Sequence, residues 1–247
     1  MGIEIKDLHV DVAEKEIIKG LNLKIKDGEF HVVMGPNGSG KTTLAKVIMG
    51  YPKYKVTMGD ILIDGKSILT MSTDKRAKLG IFMLFQNPIE IDGVNFINFM
   101  RNARAALADE RTNVKQLMDD IKGNIKHLKM SDEIINRSLN QGFSGGEKKK
   151  SEVLQLSVLK DVVKLAVLDE PDSGLDVDAL RIVAENINNV AGQNKMSILL
   201  ITHYKRILDT MKPQFVHVMM EGRIVAEGGS EIIDRVEKGG YESFSAK

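Results

Sequence analysis

The run Gly35-Pro-Asn-Gly-Ser-Gly-Lys-Thr42 constrains this chain more than any other stretch. It satisfies G-x-x-x-x-G-K-[ST] at every fixed position. It follows the apolar run Phe30-His-Val-Val-Met34 and precedes the helical pattern Thr43-Leu-Ala-Lys-Val-Ile-Met49. Strand, tight loop and helix in that order mark an α/β fold. Gly35, Gly38 and Gly40 let the loop turn so that successive N–H groups face phosphate oxygens, with Pro36, Asn37 and Ser39 completing the cradle. The helix opened by Thr43 adds unpaired N–H groups and the positive end of its dipole. Lys41 supplies a point charge for the β- and γ-phosphates, and the Thr42 hydroxyl is placed to ligate Mg²⁺. An ordinary Gly-rich turn ahead of a helix is the competing explanation. The full match in the right context favours a nucleoside triphosphate.

The rest of the chain bounds the use of that ligand. Its 247 residues suffice for one large α/β domain with ample core, and a formal net charge of +1 gives no reason to expect nucleic acid as an obligatory partner. No stretch approaches the ~18 consecutive apolar residues of a membrane span, so direct membrane insertion is not expected. Met1-Gly-Ile-Glu-Ile-Lys-Asp7 alternates charge with apolar residues and carries no signal-peptide core, which points to the cytoplasm. The chain has no cysteine, so disulfides, thiolate ligands and Cys nucleophiles are excluded. His9, His31, His127, His203 and His217 are scattered without ligand spacing, and no intrinsic zinc site is expected.

Apolar periodicity organises the chain. Ile3 to Val12, then Ile17-Ile18 and Leu21 to Ile25, alternate as half-buried strands of an antiparallel sheet, and Asp27-Gly28 turns into a buried strand at Phe30–Met34. Gly50 is placed as the C-cap of the following helix and Pro52 as its stop; Gly59 to Gly65 reads as a short returning strand. Gly80 to Phe85 is a second buried strand. From there to about Asn140 the apolar residues fall at helical spacing and short strands disappear, as in a helical subdomain inserted into an α/β body. A helix from Glu147 to Leu159, strands at Val162–Leu168 and Met196–Ile201, and a hairpin Phe215–Met220/Arg223–Ala226 follow.

Leu165-Ala-Val-Leu-Asp169-Glu170 is an apolar strand ending in two carboxylates. In an α/β sheet the carboxyl ends of strands face the ligand, so Asp169 suits a Mg²⁺ shell and Glu170 a general base that polarises an attacking water. A solvated strand end is the bland alternative, and it weakens beside a P-loop. Gln86 ends a strand where the insert begins, with a side chain suited to Mg²⁺ or water. Ser144-Gly-Gly-Glu147 opens a helix as a second anion-binding nest, Ser173-Gly-Leu-Asp176 follows Glu170, and His203 ends a strand within reach of a γ-phosphate. Singly, each is structural more often than functional; their order and spacing are specific.

In that order the sequence resembles the ATP-binding-cassette (ABC) ATPases over essentially its whole length. Gly35–Thr42 resembles the Walker A loop, Gln86 the Q-loop and Ser144-Gly145-Gly146-Glu147 the signature. Leu165–Glu170 resembles Walker B with its catalytic Glu, Ser173–Asp176 the D-loop and His203 the switch His. The resemblance implies a P-loop, RecA-like core with an N-terminal antiparallel β subdomain and an inserted α-helical subdomain. As one domain over 1–247, the core would take 1–86 and 160–247, and the signature-bearing insert 87–159. It also implies ATP and Mg²⁺ as cofactors, with Glu170, His203 and Gln86 catalytic and Thr42, Gln86 and Asp169 at the metal. A transient, ATP-dependent head-to-tail homodimer is implied too, each ATP lying between the P-loop of one copy and Ser144, Gly145, Gly146 and Asp176 of the other. The chain departs from the family at Val10–Ile17, which has no aromatic residue to stack adenine; Val12 or Lys15 would have to serve.

Finer features resemble one branch. Asp172 stands where transporter cassettes usually carry Thr, and the signature continues Glu147-Lys-Lys149 without the usual Gln-Arg run. Together with Gly80–Val94, Thr202-His-Tyr-Lys-Arg-Ile-Leu208 and Lys212–Val218, these are similar to the SufC-type ATPases of iron–sulfur cluster assembly. That resemblance implies SufB/SufD-type scaffold partners docking near Gln86–Met100. A membrane-transporter subunit and a cassette ATPase acting on DNA or ribosomes remain alternatives; the charge balance disfavours the last. Phe96 and Phe99 are equally readable as docking residues or as subdomain core, and Lys238–Phe244 as a tail docking back on the body.

Overall fold

The computed structural model describes residues 2–108 and 112–244; the outermost ends of the expected 1–247 domain and the segment 109–111 lie outside the described residues. Two long strands open the chain, β1 (Ile3–Val12) and β2 (Lys15–Ile25), the latter continuous through Ile17 and Leu21. The buried positions of β1 run Ile3, Ile5, then Leu8, Val10, a one-residue slip in the alternation. A bulge absorbs it: the register of β1 shifts between Ile5 and Leu8 on one side and between Lys6 and His9 on the other, and Asp7 adopts φ 43°. The buried strand β3 (Phe30–Met34) leads to the loop and helix α1 (Lys41–Ile48). Returning to the first sheet, β4 (Lys55–Ile63) starts four residues before the expected Gly59, and β5 (Lys66–Ser67) closes the antiparallel order β2-β1-β4-β5.

Nothing in the periodicity announces the next helix, α2 (Thr73–Lys78), which precedes β6 (Ile81–Leu84). The insert holds α3 (Phe96–Ala108) and α4 (Val114–His127) as its spacing requires, but strands do not vanish from it. β7 (Ile91–Asn95) pairs antiparallel with β8 (Ser138–Leu139), a correction to the all-helical expectation. The pairing is short and joins segments far apart in sequence, so no local alternation betrays it. The signature helix α5 (Gly145–Val158) runs from the insert back to the body, where β9 (Leu165–Asp169), α6 (Val177–Asn194), β10 (Ser197–Ile201) and α7 (Arg206–Thr210) follow. The hairpin β11 (Phe215–Met220)/β12 (Arg223–Gly228) turns at Glu221 and Gly222, with φ 47° and 83°. Two successive positive φ values suit the right-handed twist of the flanking strands. Helix α8 (Ser230–Gly239) and a 3₁₀ turn at Tyr241–Phe244 end the described chain. That tail does fold back: Tyr241 and Phe244 pack on the core, and the Arg235 guanidinium lies 4.1 Å over the Phe244 ring.

The second sheet, ordered β12-β11-β3-β10-β9-β6, is parallel except for β12. Its central strands β3, β10 and β9 are buried on both faces, which is why they read as unbroken apolar runs, whereas the edge strand β12 is exposed. Val32, Met34, Ala166, Leu168, Ile198 and Leu200 join a core shared with α5, α6 and the insert helices. Val33, Leu165, Val167, Leu199 and Ile201 face α1 and the antiparallel sheet. Phe96 is a core residue at 1% exposure, and Phe99 packs beside it. The insert shares its apolar core with the body, and the P-loop emerges between the two cores.

Candidate active site

β3, β6, β9 and β10 are parallel neighbours, so their carboxyl ends converge on one edge of the sheet. The loop after β3 is held by backbone geometry that only glycine permits. A Cβ at Gly35 would lie 2.1 Å from the Met219 carbonyl oxygen, and Gly40, with φ 108°, would meet the Met219 methyl at 2.8 Å. Lys41 follows as the first residue of α1. Its Nζ reaches back across the loop to the Gly35 and Pro36 carbonyls at 2.8 and 2.9 Å, and burial lowers its pKa, against the pull of Glu170 and Asp169. A buried ammonium held by neutral carbonyls at the start of a helix favours an anion beside it.

Asp169 ends β9 fully buried, with one oxygen taking the Thr42 hydroxyl at 3.2 Å and the other without a hydrogen-bond partner. Burial pushes its carboxyl up to about 6. A buried carboxylate oxygen with a free lone pair, beside a hydroxyl, is hard-oxygen chemistry that fits Mg²⁺. That ion takes few protein ligands when phosphates and waters complete its shell. No group of three or more His, Cys, Asp or Glu side chains among the described residues forms a metal cage by itself.

Glu170 is the next residue and its backbone is strained, at φ 48°. The strain orients its carboxylate, which lies between two partners: Gln86 Nε2 donates to Oε2 at 2.7 Å, and His203 Nδ1 lies 3.1 Å from Oε1. Behind it, Asp172 accepts the Thr202 hydroxyl at 2.9 Å, joining the segment after β9 to the segment that carries His203. Burial raises the Asp172 carboxyl above its ordinary value. Two buried charged residues of α5, Lys149 and Glu152, reach the backbone of Phe85, and Lys149 also that of Glu170; burial pushes Glu152 up to about 8.

These groups surround a cleft of about 600 Å³. Asn37, Gly38, Gly40, Lys41, Thr42 and Thr43 form one wall, and Gln86, Glu170 and His203 the other. Gly35, Pro36 and Ser39 shape the loop from behind. Asp169 sits beneath Thr42. Val12 and Lys15 do not line the cleft; Ile17 of β2 does, as does Tyr204, which tilts against His203 at 3.8 Å between ring centroids. Ile17 and Tyr204 were not distinguishable by sequence. One is an unexceptional member of an alternating strand, and the other lies in an irregular segment far along the chain.

Ser144, Gly145, Gly146 and Asp176 are not brought to this cleft. Ser144 caps α5 through a reciprocal capping box with Glu147, and Asp176 caps α6 by accepting the Ala179 N–H at 2.7 Å. Gly145 has an ordinary backbone and open space where a Cβ would be, so its own chain does not require glycine there.

Residues 18–173 match the family model described as ABC transporter. The chain is 51% identical over 245 residues to Vegetative protein 296 of Bacillus subtilis (strain 168), covering 97% of this chain and 92% of that protein. It is 46% identical over 244 residues to the probable ATP-dependent transporter ycf16 of Antithamnion sp., covering 97% and 96%. Among solved structures, the ATP binding subunit of an ABC transporter superposes with a TM-score of 0.80 at 21% identity, over 97% of this chain and 94% of that one. A dimeric post-hydrolysis state of the ATP-binding cassette MJ0796, bound to ADP and Pi, superposes with a TM-score of 0.78 at 19% identity, over 92% and 98%. The α/β architecture is that of these cassettes.

Proposed function

The chain belongs to the ABC transporter family as an ABC-type ATPase, the ATP-binding subunit of an ABC system. We propose that it serves a Suf-type iron–sulfur cluster assembly complex, working a SufB/SufD-type scaffold through ATP-driven dimerisation in the cytoplasm. The observation that carries the catalytic part is the Glu170 carboxylate, held between Gln86 and His203 at the rim of the P-loop cleft.

In this reading the N–H groups of Gly38, Gly40 and Lys41 cradle the phosphates, and Lys41 exchanges its two carbonyl partners for phosphate oxygens. Thr42, Asp169 and Gln86 would hold Mg²⁺, which would neutralise phosphate charge when bound. Glu170 accepts a proton from the attacking water as the water oxygen bonds the γ-phosphorus and the β–γ anhydride bond breaks to release ADP and phosphate. Gln86 orients the carboxylate, and His203 bridges it to the γ-phosphate. Ile17 and Tyr204 offer apolar and aromatic surface at the cleft in place of the missing stacking residue.

Ser144, Gly145, Gly146 and Asp176, remote from their own cleft, would close over the cleft of a second copy. The open space at Gly145 supports this: room unneeded by the subunit itself suits the close approach of a partner's nucleotide. ATP then acts between two copies, and hydrolysis releases them.

The Suf assignment rests on sequence resemblance at Asp172, Glu147-Lys-Lys149 and Thr202–Leu208, and on the Asp172–Thr202 hydrogen bond between two of those segments. Ile89 is 67% exposed and Val94 37%, which suits a docking surface beside Gln86. Several relatives are named as transporter ATP-binding proteins, and a transporter's ATP-binding subunit is the other reading. No helix among the described residues is long and apolar enough to cross a membrane. Affinity purification from native cells decides: co-elution with proteins that bind an iron–sulfur cluster supports the proposal, and recovery of a polytopic membrane protein instead overturns it.

A further inference from the structure

Gln86 hangs from the end of β6, and helix α5 holds that end. Glu152 Oε1 accepts the Phe85 N–H at 3.0 Å, and Lys149 Nζ donates to the Phe85 carbonyl at 2.5 Å. Both polar groups of the residue before Gln86 are thus bonded by side chains of a single helix, not by a neighbouring strand. The two side chains are spaced i,i+3, share a helix face, and are 2% and 3% exposed. Lys149 also reaches the carbonyl of Glu170 at 3.1 Å, so one ammonium spans the residues that carry both Gln86 and the strained carboxylate.

Burying an acid and an ammonium carries a desolvation cost that apolar packing at the same positions avoids. The cost is not offset by full satisfaction either, since Glu152 Oε2 has no hydrogen-bond partner. The other end of this helix is Ser144–Gly146. A rigid helix therefore has the signature at its tip and, within its first turns, both hands on the hinge of Gln86.

We propose that Glu152 and Lys149 form a clamp on Phe85 that makes α5 a lever, so that a displacement of the signature end repositions Gln86 against Glu170. They are positioning residues and touch neither substrate nor metal. The inference deepens the proposed function and rests on its reading of Gln86. Glu152 sets the N–H of Phe85, and Lys149 its carbonyl. A contact at Ser144–Gly146 is thereby transmitted to hydrolysis without crossing the insert core.

The test compares the full chain with Glu152→Leu, Glu152→Gln and Gln86→Ala, measuring kcat, KM, affinity for a fluorescent ATP analogue, and amide exchange at Phe85. Misplacing a catalytic group by a fraction of an ångström should lower kcat of Glu152→Leu by about ten- to a hundredfold while nucleotide affinity changes by less than about threefold. Protection of the Phe85 amide should fall at least about tenfold, because its acceptor is gone. Glu152→Gln keeps an acceptor oxygen at the same place and should restore both values. An unchanged kcat in Glu152→Leu, unchanged protection at Phe85, or a Gln variant as slow as the Leu variant overturns the clamp. If Glu152→Leu does not fold, Lys149→Met carries the same expectation for kcat and affinity through the carbonyl prong, with the Phe85 amide keeping its acceptor. A fast Gln86→Ala overturns the reading of Gln86 itself, whereas a slow Gln86→Ala beside a fast Glu152→Leu overturns the clamp alone.

Discussion

Replacing Arg76 by Ala should be among the most damaging single changes outside the cleft. The side chain is 3% exposed and its guanidinium is spent on backbone carbonyls: Val47 at 2.7 Å, Ile48 at 2.9 Å, Met71 at 3.0 Å and Leu69 at 3.2 Å. Val47 and Ile48 belong to the last turn of α1, whose C-terminal carbonyls have no intrahelical donors. Arg76 therefore caps the helix that presents the P-loop. Val47 keeps a second donor in the Gly50 N–H at 3.0 Å, which leaves three carbonyls deprived. At about 1 kcal/mol for each lost partner, plus a similar term for the buried stem, the change should cost about 3–4 kcal/mol. For a domain of this size that corresponds to a drop in Tm of about 6–16 °C. Reversible thermal unfolding followed by circular dichroism measures it, with urea unfolding as a second estimate. Arg76→Lys should recover only part, since a point ammonium cannot reproduce the planar fork. A loss below about 1 kcal/mol in Arg76→Ala, or a Lys variant equal to wild type, would show that water serves these carbonyls equally well and refute the capping argument.

Two further expectations concern pH and nucleotide. Burial beside His31 holds the His217 imidazolium down at about 4 from its ordinary 6.5, with His31 at 2.9 Å on one nitrogen and Glu227 at 3.5 Å from the other. Glu29 faces the far side of His31 at 3.0 Å. The unfolded chain binds the proton first, so the contribution of His217 is complete above about pH 6.5 and falls as pH drops toward 4, by up to about 3 kcal/mol. His217→Leu should flatten that slope, and an unaltered profile would contradict it. Lys41→Ala should weaken ATP binding at least about tenfold by removing the charge held inside the loop. Calorimetric titration checks it, and wild-type affinity would remove the P-loop from the account.

The parts legible in sequence are those where local pattern and tertiary environment agree. Phe30–Met34, Leu165–Asp169 and Ser197–Ile201 read as buried strands because both faces of their sheet are covered, and Glu221-Gly222 reads as a hairpin turn because its dihedrals demand such residues. The P-loop is legible because glycine is compulsory at Gly35 and Gly40. What the sequence hides is non-local. β7 and β8 pair from segments far apart in sequence, Asn95 against Ser138, and α2 is too short for periodicity to show. Arg76, Lys149 and Glu152 look like surface charges until the backbone groups that they serve are brought to them. Ile17 and Tyr204 reach the cleft from opposite ends of the chain. Ile3 to Val12 reads as one alternating strand, and the bulge between Ile5 and Leu8 needs the partner strands to define it.

The central claim is that one cleft is half of a site, completed by Ser144–Gly146 of a second copy. The direct measurement is light scattering after size exclusion of Glu170→Gln with and without ATP and Mg²⁺, alone and combined with Gly145→Asp. The Gln variant keeps the cleft but loses the base, so it should bind ATP and accumulate as a dimer. Gly145→Asp fills space that the subunit itself leaves open, so it should fold, bind ATP and stay monomeric. Dimers that form equally well with the Gly145 substitution, or a Glu170→Gln protein that binds ATP and remains a monomer, would contradict the composite site.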